Sequence, residues 1–160
     1  MNAWGAVAGG FVGTVVLTSA LRAANELGLT RMDLPFLLGT AFSADRTRAK
    51  ALGYVLHFAA GEGFAFVYYG IFTAIGHSGW GLGALFGLLH GLFASSALVN
   101  VLLPVIHPRM GTADSSATDT PLLEPPGFMM LNYGPRTPLA TLAAHAAYGA
   151  IVGGFISLAS

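Results

Sequence analysis

The stretch GYVLHFAAGEGFAFVYYG, Gly53–Gly70, decides the class of this fold. Its apolar and small side chains are those of the middle of a membrane-spanning helix, yet it also carries an imidazole at His57 and a carboxyl at Glu62. A charged side chain at the bilayer centre costs at least about 2.5–3.5 kcal/mol on insertion scales, and ionisable residues inside spans usually face a bundle interior. We therefore expect Glu62 to face another helix and not lipid.

The whole chain has the composition of a membrane protein. Its 160 residues are 54% hydrophobic and 9% charged, with a mean hydropathy of +0.68, whereas a soluble domain usually has about 25% charged residues. The zero net charge argues against a nucleic-acid partner. The absence of cysteine excludes disulfides, thiolate metal sites, cysteine nucleophiles and iron–sulfur clusters. The sequence predicts a single membrane domain over residues 1–160, surrounded by the lipid bilayer.

Four apolar stretches are long enough to cross about 30 Å of hydrocarbon. The predicted spans are residues 3–27, 49–75, 79–103 and 137–159. Pro104 and Pro108 are expected to stop the third span, and Pro135 and Pro138 to open the fourth. We interpret the first span as a retained helix and not a signal peptide, because no basic residue precedes its apolar run. The predicted fold is therefore all-α, a polytopic membrane protein with four transmembrane helices in a bundle.

The charges predict how these spans are oriented. All the lysine and arginine residues fall in or beside the links 28–48 and 104–136: Arg22, Arg31, Arg46, Arg48, Lys50, Arg109 and Arg136. With four spans these links share one membrane face, which the positive-inside rule identifies as cytoplasmic. Both termini are then expected on the outer (periplasmic) side of a bacterial-type inner membrane. The acidic residues lie in the same links, Asp114 and Asp119 among them, and Glu62 is the exception.

Helical rise places the buried polar side chains in two layers. At about 1.5 Å per residue, Glu62 and His90 lie about 20 Å from the cytoplasmic face, and His57 and His145 about 12 Å from it. The first pair is a candidate proton relay or polar core. The second is a candidate metal or haem site, because buried histidines are common ligands of both. The simpler interpretation, in which each side chain only hydrogen-bonds a neighbouring helix, stays open.

Geometry limits these sites in one respect. His57 and Glu62 are five positions apart, about 140° around a helix, so they cannot both point straight at one ion. His77 and His107 fall at span ends, where we expect them to be hydrated. The sequence does not identify the cofactor, and haem or a divalent metal are the options.

Glycines recur at a spacing of four on two of the spans: Gly5, Gly9 and Gly13 on the first, and Gly83, Gly87 and Gly91 on the third. This spacing lets another helix approach closely, from the same chain or from another subunit. The second span is instead crowded with aromatic side chains. Large rings on the second span and glycines on the third predict that these two spans pack together.

Both cytoplasmic links contain apolar pieces. Leu34–Phe42 is too short to span a membrane and is predicted to be an interfacial or re-entrant segment. The second link ends in LLEPPGFMMLNYG, residues 122–134. We predict for it a surface loop folded over the bundle, with a lid over a cytoplasm-facing pocket as the alternative.

Two classes of function remain open. The sequence contains no phosphate-binding loop, dinucleotide fingerprint or nucleophile elbow, so an enzyme is not favoured. The first hypothesis is an accessory or structural subunit that packs against a larger membrane complex or a second copy of itself. The alternative is a cofactor-binding or proton-relay membrane protein that uses the intramembrane side chains Glu62, His90, His57 and His145.

Overall fold

The computed structural model of the protein describes residues 2–110 and 123–159, and the regular structure within these ranges is helical. The helices are α1 Ala3–Glu26, α2 Leu34–Gly39, α3 Arg46–Ile75, α4 Trp80–Ile106, α5 Thr137–Leu158 and a 3₁₀ helix, Phe128–Tyr133. Asp114 and Asp119 lie outside the described residues.

Helices α1, α3, α4 and α5 are each long and apolar enough to cross a membrane, which confirms the prediction of an all-α chain with four candidate spans. Their ends coincide with the predicted ones or differ by at most three residues. Successive spans run in opposite directions, so residues 27–45 meet residues 107–110 and 123–136 at one end of the bundle, here called the link end. The two chain ends meet at the other end, where Gly5 lies beside Ala159.

Pro104 does not stop the third span, contrary to expectation. Helix α4 continues to Ile106, and the turns before the proline, Ala94–Leu102, are wound as a π-helix. The Ser95 hydroxyl donates to the Gly91 carbonyl at 2.6 Å, which competes with the backbone ladder. Proline also removes one N–H from that ladder. The wider π turns therefore let the helix pass through the proline.

Helix α5 is the centre of the bundle, because α1 and α4 both pack closely against it. A side-chain carbon at Gly9 of α1 would lie 3.0 Å from the Val152 Cα. On α4, Gly83 and Gly87 lie against the backbone of Gly149. We call the two predicted sets, Gly5, Gly9 and Gly13 on α1 and Gly83, Gly87 and Gly91 on α4, the glycine stripes. Their remaining members, Gly5, Gly13 and Gly91, also contact α5. Each predicted packing glycine therefore faces α5 of the same chain.

The expected packing of third-span glycines on second-span rings is wrong. Helix α3 meets α4 through aromatic side chains, with Phe72 and Phe86 ring centroids 5.5 Å apart. The Phe64 ring lies against His90, at a centroid distance of 3.8 Å. The α4 glycines are turned toward α5, where two glycine-bearing helices approach more closely than any ring allows.

The first link folds back onto α3 as the short helix α2. Asp33 caps this helix by accepting a hydrogen bond from the Phe36 N–H at 3.1 Å. Gly39 and Gly53 let the two backbones touch, since a side-chain carbon at Gly53 would collide with the Pro35 carbonyl. The apolar piece of the first link is thus packed on the bundle.

The second link is fastened to the first. The Arg31 guanidinium pairs with the Glu124 carboxylate at 3.2 Å, and the hydroxyls of Thr30 and Thr137 share a buried hydrogen bond of 2.7 Å. The Tyr133 hydroxyl donates to the Glu124 carbonyl at 2.9 Å. Burial, and secondly the Glu124 charge, raises the pKa of Tyr133 to about 12, so this donor stays protonated at neutral pH.

His107 is buried at the link end and not hydrated as expected. Its Nε2 donates to the Leu37 carbonyl at 2.9 Å, and its Nδ1 accepts from the Arg109 N–H at 3.2 Å. The Arg109 guanidinium donates in turn to the Thr40 carbonyl at 2.6 Å. These bonds fix the end of α4 to α2, so His107 has a structural role.

Candidate functional site

A cavity of about 300 Å³ lies inside the bundle toward the link end. Its wall is mostly apolar, and we call it the histidine cavity after the three imidazoles that line it, from three different spans: His57, His90 and His145. Small-molecule sites in proteins are typically clefts of about 300–1,000 Å³ with apolar walls and a few placed polar groups. The histidine cavity has that size and that kind of lining.

The cavity reaches the outside of the bundle between α3 and α4. Ala60, Leu102 and Ile106 line it and are also exposed on the surface of these two helices. Leu34 and Met130 close its link end. A molecule can therefore reach the imidazoles from the side of the bundle.

His145 is held by its own helix. Its Nδ1 lies 2.8 Å from the carbonyl oxygen of Thr141, one turn earlier on α5. Its ring meets the His90 ring edge to face, with centroids 4.9 Å apart. Gly91 makes room for it, because a side-chain carbon there would lie 3.0 Å from the His145 Cβ. The glycine stripe of α4 thus also seats a cavity histidine.

His57 is held by α1. Its Nδ1 lies 3.2 Å from the Thr18 hydroxyl, and that hydroxyl lies 2.6 Å from the Thr14 carbonyl. His57 is buried, although it also lines a second cavity described below.

His90 sits among rings. Its Nδ1 is 3.4 Å from the Tyr68 hydroxyl, and its imidazole lies against Phe64. The Tyr148 ring is also close, at a centroid distance of 5.9 Å, and the Tyr148 hydroxyl donates to the Gly61 carbonyl at 2.6 Å. That bond ties α5 to α3 beside the cavity.

The structure does not bring Glu62 to His90. The carboxyl lies between α3 and α1, where a side-chain carbon at Gly10 would be 2.7 Å from its Oε2. Within the described residues this enclosed oxygen has no hydrogen-bond partner. His90 is met instead by Phe64, two positions and about 200° further around the helix. The predicted distance from the cytoplasmic face is the same for Glu62 and His90. It does not specify the direction in which each side chain points around its helix, and these directions differ.

The two predicted layers therefore merge into one cavity that leaves Glu62 out. His145 makes its ring contact with His90, not with its predicted partner His57, and all three imidazoles line the same space. Among residues 2–110 and 123–159, no three His, Asp or Glu side chains converge as metal ligands. The metal or haem site at His57 and His145 stays a prediction.

A second cavity of about 310 Å³ adjoins the first on the far side of His57. We call it the polar vestibule, after the charged side chains that line it: Arg22, Glu26, Asp33 and Lys50. These form two ion pairs, Arg22–Glu26 at 2.8 Å and Lys50–Asp33 at 2.9 Å. His57 lines both cavities, so it stands at the boundary between an apolar space and a polar one.

Met130 forms part of the cavity wall through an unusual backbone. Met129 and Met130 have left-handed φ angles of 53° and 60°, a conformation that costs a non-glycine residue about 1–3 kcal/mol. The Ser95 hydroxyl oxygen lies 3.2 Å from the Met129 sulfur, and Met130 is 2% exposed. The described end of the second link, residues 123–134, thus inserts one side chain under the cavity.

Tyr148 and Met130 were not among the site residues expected from the sequence. Tyr148 follows His145 by three positions, which puts both on one face of α5, and that spacing was the available signal. Met130 gave no such signal, because its burial depends on the left-handed turn.

Comparisons with protein-family models, curated proteins and solved structures found no match to this chain. A helical bundle can support many functions, so the fold does not choose among them. The function is therefore argued from the histidine cavity and its surroundings.

Proposed function

We propose that this protein binds a lipid-soluble small molecule in the histidine cavity. The observation that carries the proposal is an apolar space of about 300 Å³ on which imidazoles from three spans converge. Apolar walls favour a molecule that partitions into the bilayer, and a few polar groups fix its orientation. The imidazoles supply those polar groups.

The opening between α3 and α4 supports access from the membrane. Ala60, Leu102 and Ile106 lie both in the cavity wall and on the exposed side of helices that can span a bilayer. A ligand dissolved in the hydrocarbon reaches the imidazoles there without crossing an ionic layer. The charged groups belong to the polar vestibule on the other side of His57.

The orientation belongs to the same proposal. The link end carries the lysine and arginine residues, so it faces the cytoplasm of a bacterial-type inner membrane and both termini face the periplasm. The polar vestibule then opens toward the cytoplasm and the lateral opening toward lipid.

The accessory-subunit hypothesis stays a prediction, as does a protein partner or a second copy. One argument for it is the glycine spacing on two spans, and these glycines face α5 within the chain. The glycines are thus accounted for by packing within the chain. The histidine cavity is instead an open space lined by imidazoles, which is why we favour ligand binding.

The proposal is tested by native mass spectrometry of the protein extracted gently from its own membrane. We expect an added mass of one small lipid-soluble molecule on the wild type. Ala60→Phe fills the mouth of the cavity and should abolish the added mass. Ala59→Phe is the matched control, because Ala59 is exposed on the same helix and does not line the cavity. A bare wild-type chain, or an Ala60→Phe variant that keeps the added mass, contradicts the proposal.

A further inference from the structure

The hydrogen bond of His145 fixes which of its nitrogens carries the proton. A carbonyl oxygen only accepts, so the contact of 2.8 Å between Nδ1 and the Thr141 carbonyl requires an N–H at Nδ1. A neutral imidazole has one N–H, and its other nitrogen is an acceptor. His145 therefore offers the lone pair of Nε2 to the cavity that it lines.

His57 reaches the same state through a chain of two bonds. The Thr18 hydroxyl donates its single hydrogen to the Thr14 carbonyl at 2.6 Å. What it offers His57 Nδ1, at 3.2 Å, is then a lone pair, so Nδ1 carries the proton here too. His57 likewise has an accepting Nε2.

Three hydroxyl residues line the cavity, and each already donates within the bundle, Thr141 to the Met130 sulfur at 4.0 Å. Tyr148 donates to the Gly61 carbonyl at 2.6 Å, and Thr14 to the Gly10 carbonyl at 2.7 Å. His90 faces a Tyr68 hydroxyl that can donate or accept, so it can contribute a donor or an acceptor. The histidine cavity thus has two fixed acceptors and fewer donors.

We infer that the histidine cavity selects ligands whose polar head carries an O–H donor, namely an apolar alcohol, phenol or hydroquinone. The inference rests on the proposed function and deepens it by naming the ligand class. An ether or ketone of the same shape sets an oxygen lone pair against the imidazole lone pairs, and a buried acceptor then stays unsatisfied. A metal ion would use the same lone pairs, but no third ligand converges with them in the described part of the chain.

Thr18 is the positioning residue of this device. Thr18→Val removes the hydroxyl that holds His57 in one tautomer, which frees the imidazole to turn a donor toward the cavity. Thr18→Ser keeps the hydroxyl and is the matched control. Neither change touches His145, so Thr18→Val should weaken the preference for donors without abolishing it.

The experiment uses the full-length protein in lipid nanodiscs and two probes, 4-hexylphenol and 4-hexylanisole, which differ by methylation of the donor. Binding is measured by isothermal titration calorimetry, with Ala60→Phe nanodiscs as the blank for partition into lipid. One net hydrogen bond corresponds to a preference of about tenfold for the phenol, expected in the wild type and Thr18→Ser. In Thr18→Val we expect about threefold or less, on the same scale of hydrogen-bond strengths.

The outcomes separate the two ideas. Equal affinities of the wild type for both probes, or an unchanged preference in Thr18→Val, overturn the inference and leave the proposed function standing. Binding of neither probe above the Ala60→Phe blank overturns both. A phenol preference that falls in Thr18→Val and persists in Thr18→Ser supports the inference.

Discussion

Glu62 is accommodated by the residue that faces it. Gly10 has no side chain, and the carboxyl occupies the space beside its backbone between α1 and α3. A carboxyl at this depth is costly when exposed to lipid, so it is turned toward a neighbouring helix, as expected for an ionisable group in a span. Glu62 does not line the histidine cavity, so it is no part of the proposed binding site.

The Tyr148 hydroxyl allows a test at this scale. It donates to the Gly61 carbonyl at 2.6 Å in a buried setting. Tyr148→Phe leaves that carbonyl without its side-chain partner, and we expect the free energy of unfolding to fall by about 1–3 kcal/mol. Unfolding in detergent by increasing SDS, followed by circular dichroism, measures the change.

Tyr133→Phe is the control for Tyr148→Phe. It removes a hydroxyl that donates to the Glu124 carbonyl at 2.9 Å where water is accessible. Water can replace that bond, so we expect a loss within about 0.5 kcal/mol. Similar losses in the two variants would show that the bond to Gly61 has no special weight.

At the scale of elements, the bundle is organised by how closely helices approach α5. The α1 and α4 surfaces that contact α5 are lined by glycines, so no side chain keeps these helices apart from α5. Helix α3 instead contacts α4 through aromatic rings, which keep these two helices further apart. Helices in lipid associate through close packing of this kind, because lipid tails are as apolar as the side chains they would replace. The histidine cavity is the space left on the side where packing is loose.

Two glycines of α4 give a matched test of this arrangement. A side-chain carbon at Gly87 would lie 2.9 Å from the Ala146 Cα, so Gly87→Ala should push α4 away from α5 and cost about 1–3 kcal/mol. At Gly81 nothing lies within 4 Å, and Gly81→Ala should be neutral or stabilising by up to about 1 kcal/mol.

The same SDS unfolding assay measures both variants. Equal stabilities of Gly87→Ala and Gly81→Ala would mean that α4 does not depend on contact with α5.

At the scale of the whole molecule, charge is segregated along the bundle. The basic residues belong to the link end, and the opposite end carries the two chain ends without a lysine or arginine side chain. This asymmetry underlies the proposed orientation, since cytoplasmic loops carry an excess of such residues.

Because the chain has no cysteine, single-cysteine variants report this orientation directly. Asn2→Cys lies at the terminal end and Ala44→Cys in the first link, and both positions are exposed. A membrane-impermeant maleimide applied to intact spheroplasts should label Asn2→Cys, and Ala44→Cys only after lysis. The reverse pattern would invert the proposed topology.

The candidate site was predictable in its residue types but not in its grouping. His57, His90 and His145 could be identified because imidazoles are conspicuous in apolar helices. Their meeting in one cavity depends on how each helix is rotated about its axis. The distance of a residue from the membrane face gives no information about that rotation. For the same reason the sequence could not show that Glu62 and His90 do not meet, because a height along the helix axis does not specify a direction around it.

The sequence by itself determined that the chain is helical and has four candidate spans, because hydropathy and span length are sums over one local segment. It also determined that the basic side chains collect at one end of an even number of spans. Only the tertiary structure decided that α5 is central, that α4 continues past Pro104 after π-helical turns at Ala94–Leu102, and that Met130 closes the histidine cavity. These features depend on contacts between side chains far apart along the chain, and a local pattern holds no information about which surfaces will meet.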